Sequence, residues 1–327
     1  LVNTVTHHIH EEEFHMRTIK KVASHIFIDG FGGMTQGLFA TLIIGTMIQQ
    51  IGLLIGGSTG NVIYLLGKAA AALTSAGIGV GVAVKYGESP LVTVSAAVAA
   101  MVGGYAGKIT GGTFFVDGNA VLAGPGEPLG AFIAAFAGIT CGHLVSGKTK
   151  VDIIVTPVIT IGAGSVVGLL VGPPISQMMT GLGSIINWAT EQRPFIMGIV
   201  VSVVMGMVLT LPISSAALGI ILNLSGLAAG AATIGCCCNM VGFAVASYRE
   251  NKFGGLVAQG LGTSMLQVPN IMRHPLIWLP VIFSSAILGP VSTIIANMQN
   301  NATGSGMGSA GLVGQITTYQ IMIAYDD

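Results

Sequence analysis

Charged side chains are too scarce in this chain to clothe a surface that faces water. Asp, Glu, Lys and Arg make up 7% of its 327 residues, against 52% apolar residues. A soluble domain carries about 25% charged residues because its surface needs them. The apolar residues come in runs of about twenty, the length that takes a helix across a bilayer, and not in the alternating stretches of about ten that build a transmembrane barrel. The chain therefore reads as an all-α membrane protein that crosses the lipid bilayer repeatedly. Its formal net charge is zero, so nothing in its charge balance points to a nucleic-acid partner.

Glycine is abundant, at 49 residues. Small residues let helix backbones approach closely where lipid supplies no hydrophobic drive for association. Cys236, Cys237 and Cys238 are adjacent, match no zinc spacing, and read with Cys141 as small buried residues. No metal site or cofactor is expected. The first 25 residues are polar and rich in His and Glu, so they do not resemble a cleavable signal peptide. Ile9, Phe14, Ile19, Val22 and Ile26 stand among charges there, which predicts an amphipathic cytoplasmic segment over 1–30.

About ten transmembrane helices follow, at 33–56, 61–84, 90–107, 128–146, 151–175, 194–217, 225–247, 253–271, 275–297 and 308–325. The stretch 107–128 is too apolar for a long solvent loop and too broken by Gly and Pro for a span. It reads as a re-entrant hairpin, which needs protein or a wet cavity over its backbone. Five spans then fall in a first half, 31–193, and five in a second, 194–327. The halves are expected to be structurally related: Gly37 and Gly45 recur as Gly198 and Gly206, and Val80, Gly81, Ala83 and Val84 as Val241, Gly242, Ala244 and Val245. Five spans per half imply inverted repeats, while the similar charges of the 85–88 and 249–252 loops argue against inversion. A cytoplasmic N-terminus puts Arg17, Lys20, Lys21, Lys85, Lys148 and Lys150 inside, with Arg249 and Lys252 the exceptions.

Glu127 is the anomaly within this apolar background. It sits in GPGEPLGAF, Gly124 to Phe132. An ionisable group at bilayer depth is by default a functional residue, and a broken segment carrying one acid is how membrane carriers build a pocket for a polar solute. Its carboxylate either accepts hydroxyl hydrogen bonds or is a loop acid beside a helix start. Asp117 and Asn119 share its hairpin. In the eighth expected span Gln259, Thr263 and Gln267 recur every four residues, with Asn270 three further on, so one helix face is polar throughout. That face lines a solute path or bonds a neighbouring helix. His143 shuttles protons or sits hydrogen-bonded at the interface, and Asn239 bonds a solute or another helix. The glycine-rich run 304–315 lacks the Lys-Ser or Lys-Thr of a nucleotide loop and reads as close packing or a second re-entrant turn. No Ser/His/Asp set, HExxH or pair of intramembrane carboxylates is present, so an enzyme is not expected.

GPGEPLGAF resembles the GITEP-type motif in the membrane (enzyme IIC, EIIC) subunits of the bacterial sugar phosphotransferase system. With GLGTSMLQVPNI at 260–271 and GMGSAGLVGQI at 306–316, the chain is similar to the perfringolysin-regulator (PfoR) branch of EIIC-like proteins. The resemblance implies that Glu127 contacts sugar hydroxyls in a re-entrant hairpin. It also implies a homodimer in the bacterial inner membrane with both termini cytoplasmic. In the sugar transporters the motif lies in the C-terminal half, and here it lies in the first. No phosphorylatable Cys followed by basic residues is present, so phosphate would come from separate phosphotransferase components. The expected function is a carrier that binds and translocates a small polar solute, a sugar or polyol, by alternating access. The alternative is a membrane sensor that binds without transport.

Overall fold

The computed structural model describes residues 25–326, apart from 117, 123, 125 and 191. Most of the expected N-terminal amphipathic segment, and Asp117, lie outside the described residues. Of the described residues, 83% are helical. Helix α1 (Phe31–Leu38) runs through a π-helical turn, Phe39–Ile43, into α2 (Ile44–Ile55). Gly56 and Gly57 then both take positive φ, +67° and +63°, and fold the chain back into α3 (Gly57–Ala72). Only glycine adopts that pair of conformations without steric cost. The two helices approach until a Cβ on Gly52 would lie 2.6 Å from the Gly60 carbonyl oxygen. After Leu73, α4 (Thr74–Lys85) bends away by 53°.

Helix α5 (Pro90–Gly104) starts where its sequence says it should. Ser89 is extended and accepts from Val92 N, and Pro90 occupies the first turn, where its missing N–H costs nothing. The short α6 (Ala106–Thr110) leads to a small antiparallel hairpin, β1 (Phe115–Val116) with β2 (Asn119–Ala120), in register Phe115↔Ala120 and Val116↔Asn119. Phe115 and Val116 of its first strand are exposed. Then come α7 (Pro128–Val145) and α8 (Asp152–Thr190). The latter has 39 residues, about 58 Å of helix, well beyond a hydrocarbon core of about 30 Å.

The remaining elements are α9 (Pro194–Thr210), α10 (Ser215–Ile221), α11 (Gly226–Ala246), α12 (Tyr248–Val257), α13 (Val268–Arg273), α14 (Leu279–Pro290), α15 (Ala302–Ser305) and α16 (Val313–Asp326). The expected span 253–271 is not one helix. A π-helical turn, Ala258–Gly262, ends at Thr263 in extended backbone (φ −158°, ψ 140°), and a 3₁₀ turn, Ser264–Gln267, restarts the chain toward α13. The expected span 308–325 becomes α-helical only at Val313, after a 3₁₀ turn at Ala310–Leu312, and Gly308, Gly311 and Leu312 take positive φ. Among the described residues, five helices are long and apolar enough to cross a membrane, or six if α3 and α4 form one bent span. Helices α5 and α9 are apolar but shorter.

Two larger apolar clusters organise the packing. One gathers Met34, Ile78, Val92 and Phe132 from the early helices and also takes in Met265 and Val268. The other gathers Val201, Met205, Ala232 and Met240 from α9 and α11 and takes in Ile43 and Ile186. Each cluster therefore borrows side chains from a distant, broken stretch of chain.

Candidate functional site

The turn before α7 is shaped by glycine. Gly124 and Gly126 have φ of +83° and +77°, and a Cβ on Gly126 would meet Ser75 Oγ and lie 3.1 Å from Gly104 O. The Glu127 amide donates to Gly104 O at 2.7 Å. Tyr105, 1% exposed, donates its hydroxyl to Gly124 O and, at 3.4 Å, to Ala72 O. Glu127 is extended (φ −91°, ψ 114°), as a residue before proline prefers, and Pro128 opens the helix. The Glu127 carboxyl accepts from the backbone N–H groups of Ser214 and Leu129. Its Oε1 is sealed from solvent and has no hydrogen-bond partner among the described residues. A buried polar atom without a partner is rare in native structures and needs an explanation.

Beside it lies a cavity of about 40 Å³. Pro128 and Ser214, the neighbours of the Glu127 carboxyl, form part of its wall; Thr263, Met265, Leu209 and Met307 form much of the rest. Three breaks in helical backbone converge here: the turn at Glu127, the extended Thr263, and the loop between α9 and α10, where Leu211 precedes Pro212 and takes ψ 160°. The volume admits water, which needs roughly 10–15 Å³. It falls far below the roughly 300–1,000 Å³ of ligand sites, so the cavity is closed in this conformation.

Of the side chains singled out in the sequence, Thr263 alone lines the cavity, which Glu127 adjoins through Pro128 and Ser214; Thr263 is 4% exposed and its Oγ1 accepts from Met265 N at 3.2 Å. The other polar residues of that segment form a chain of their own instead of one helix face. Asn270 Nδ2 donates to Gln267 Oε1, Gln267 Nε2 to Gln259 Oε1, and Gln259 Nε2 to Ser247 Oγ, each at 2.8 Å. Asn239, fully buried, accepts from Trp278 Nε1 at 3.1 Å and Thr210 Oγ1 at 3.2 Å, and donates to Gly235 O and Ser285 Oγ. None of these four amides lines the cavity. His143 is about 24 Å along α7 from Glu127 by helical rise, exposed, and 3.0 Å from Glu88 Oε1. Asn119 is exposed on β2, and Asp117 is outside the described residues.

Two contributors escape a reading by residue type. Ser214 acts through its backbone N–H, and Tyr105 braces the turn from one helix away. The signal for the first was Pro212, which forbids the continuous helix expected over 194–217. The run 304–315 supplies Met307 and Ala310 to the cavity wall through an irregular stretch packed on Cys236.

Among curated proteins, none matches the chain. The family model described as phosphotransferase system, EIIC, matches residues 28–325. EIIC is the membrane permease component of that system and is typically not itself the phosphorylating enzyme. With its long apolar helices and nearly its whole length matched, the chain belongs to the phosphotransferase system EIIC family and is a multi-pass membrane protein of the sugar-transport machinery.

Proposed function

We propose that this chain binds a small polar solute, a sugar or polyol, at Glu127 and carries it across the bacterial inner membrane by alternating access. The observation that carries the reading is the orphaned, buried Glu127 Oε1 beside a cavity walled by three broken segments. An acceptor that costs free energy when empty is satisfied when a hydroxyl arrives. Irregular backbone inside a membrane protein is tolerated where it is buried or lines such a cavity. Opening the cavity separates the early-helix cluster from the α9/α11 cluster, which is the motion alternating access requires.

The same reading takes the chain as two related halves, 31–193 and 194–327, with about ten spans, a hairpin at 107–128, a cytoplasmic N-terminus and a homodimeric assembly. The pairing of two apolar clusters supports the division. The GEP core and the 260–271 and 306–316 stretches support placing it near the perfringolysin-regulator branch. Phosphate, where it is used, comes from separate phosphotransferase components.

Calorimetry of the purified protein against a panel of hexoses and hexitols tests the site. Glu127→Gln keeps an acceptor for the Ser214 and Leu129 amides and removes the charge. It is expected to weaken binding at least tenfold, about 1.4 kcal/mol, and unchanged affinity removes Glu127 from the site. Uptake into liposomes separates a carrier from a sensor, since binding without uptake of any bound sugar marks the latter.

A further inference from the structure

We infer that the solute taken at this cavity is sparsely hydroxylated: a deoxygenated sugar that offers one or two hydroxyls to Glu127 and an apolar face to the opposite wall. This rests on Glu127 as the solute-binding group and narrows what that group can hold. The cavity that adjoins Glu127 through Pro128 and Ser214 is mostly apolar, with Leu209, Ile213, Met265 and Met307 in its wall. Uncommitted hydrogen-bonding capacity is small. Glu127 Oε1 has no partner among the described residues, and the polar side chains in the cavity wall are the three hydroxyls of Ser214, Ser215 and Thr263, of which Thr263 Oγ1 already accepts from Met265 N. Ser215 already donates to Gly306 O at 2.6 Å.

The amides able to serve a polyhydroxylated sugar are spent elsewhere. Gln259, Gln267 and Asn270 are tied to one another, and Asn239 uses both ends of its amide on neighbouring helices. Turning any of them toward the cavity breaks bonds already made and strands their partners. A fully hydroxylated hexose would thus seat several hydroxyls against carbon and sulfur. Each stranded hydroxyl lowers affinity by about fivefold to 150-fold. A ring carrying a methyl or methylene where a hexose has hydroxyls meets this wall without that loss. The two methionines adapt readily to such a face, being unbranched and polarisable.

The test is calorimetry in nanodiscs with glucose, galactose and the 2-deoxy and 6-deoxy forms of each. At least one deoxy sugar is expected to bind about fivefold tighter than its parent or better. Parents that bind as tightly as every deoxy form overturn the inference, as does binding of none of them, which overturns the sugar reading too. Glu127→Gln separates the two ideas. Loss of affinity without a deoxy preference sinks this inference alone, whereas a deoxy preference that persists at unchanged affinity sinks Glu127 as the site. Met307→Gln adds polar atoms to the wall and is expected to move selectivity at least fivefold toward the parent sugars. Ile213→Thr is expected to do the same with less change of shape, so that a folding defect in the first variant still leaves a decisive reading.

Discussion

Glu127 is costly where it stands, because a sealed acceptor without a partner costs about 1–3 kcal/mol. Such violations of local preference are expected at functional sites. Its surroundings are built to hold it. Gly126 has positive φ and no room for a side chain, so Gly126→Ala is expected to destabilise the protein by about 1–2 kcal/mol. Thermal unfolding in detergent checks this, and an unchanged melting temperature would show that the turn relaxes freely. Tyr105→Phe removes the hydroxyl bonds to Gly124 and Ala72 while leaving the ring. About 1 kcal/mol of stability should go with them, and solute affinity should fall severalfold as the turn loosens; titration of the variant with the same sugars measures it. The acid was legible in the sequence because a carboxylate in an apolar stretch stands out. Tyr105 was not, since an aromatic residue beside glycines reads equally as a lipid-facing anchor.

At the scale of elements, the breaks matter more than the helices. Pro128 and Pro90 mark helix starts that any reading by proline and capping rules would place. The segment 253–271 misled because Gln259, Thr263 and Gln267 keep a helical period. The Gln259 and Gln267 side chains are instead joined across a break at Thr263. The Gln267 amide is the middle link of that chain. Gln267→Leu leaves Gln259 Oε1 and the Asn270 amide seeking partners, at an expected cost of about 1–3 kcal/mol. In a double-mutant cycle the added Gln259→Leu should cost less than it does alone, because the two share one interaction. Strict additivity of the unfolding free energies would mean that the chain carries no coupling.

For the whole molecule, a polar hub ties α9 and α11 to the broken segment before α13. Thr210 of α9 bonds both Asn239 of α11 and Ser264, at 3.2 Å and 2.9 Å, and Ser264 belongs to the broken segment that seats Met265 among the early helices. Asn239→Leu strands the Trp278 and Thr210 donors. It is expected to lower stability by about 1–3 kcal/mol per stranded group while leaving Kd for any bound sugar within about twofold, since Asn239 does not line the cavity. A large loss of affinity at intact stability would place the amide in the solute path after all. The sequence by itself determined that this is a helical membrane protein with one anomalous acid, because scarce charge and long apolar runs leave no other solvent for the chain. It also located the glycine and proline punctuation at which helices start and stop. Only the tertiary structure decided which polar groups meet. Hydrogen-bond partners are set by how breaks far apart in the chain pack together, and that choice tied the amides to one another and left Glu127 Oε1 without a partner.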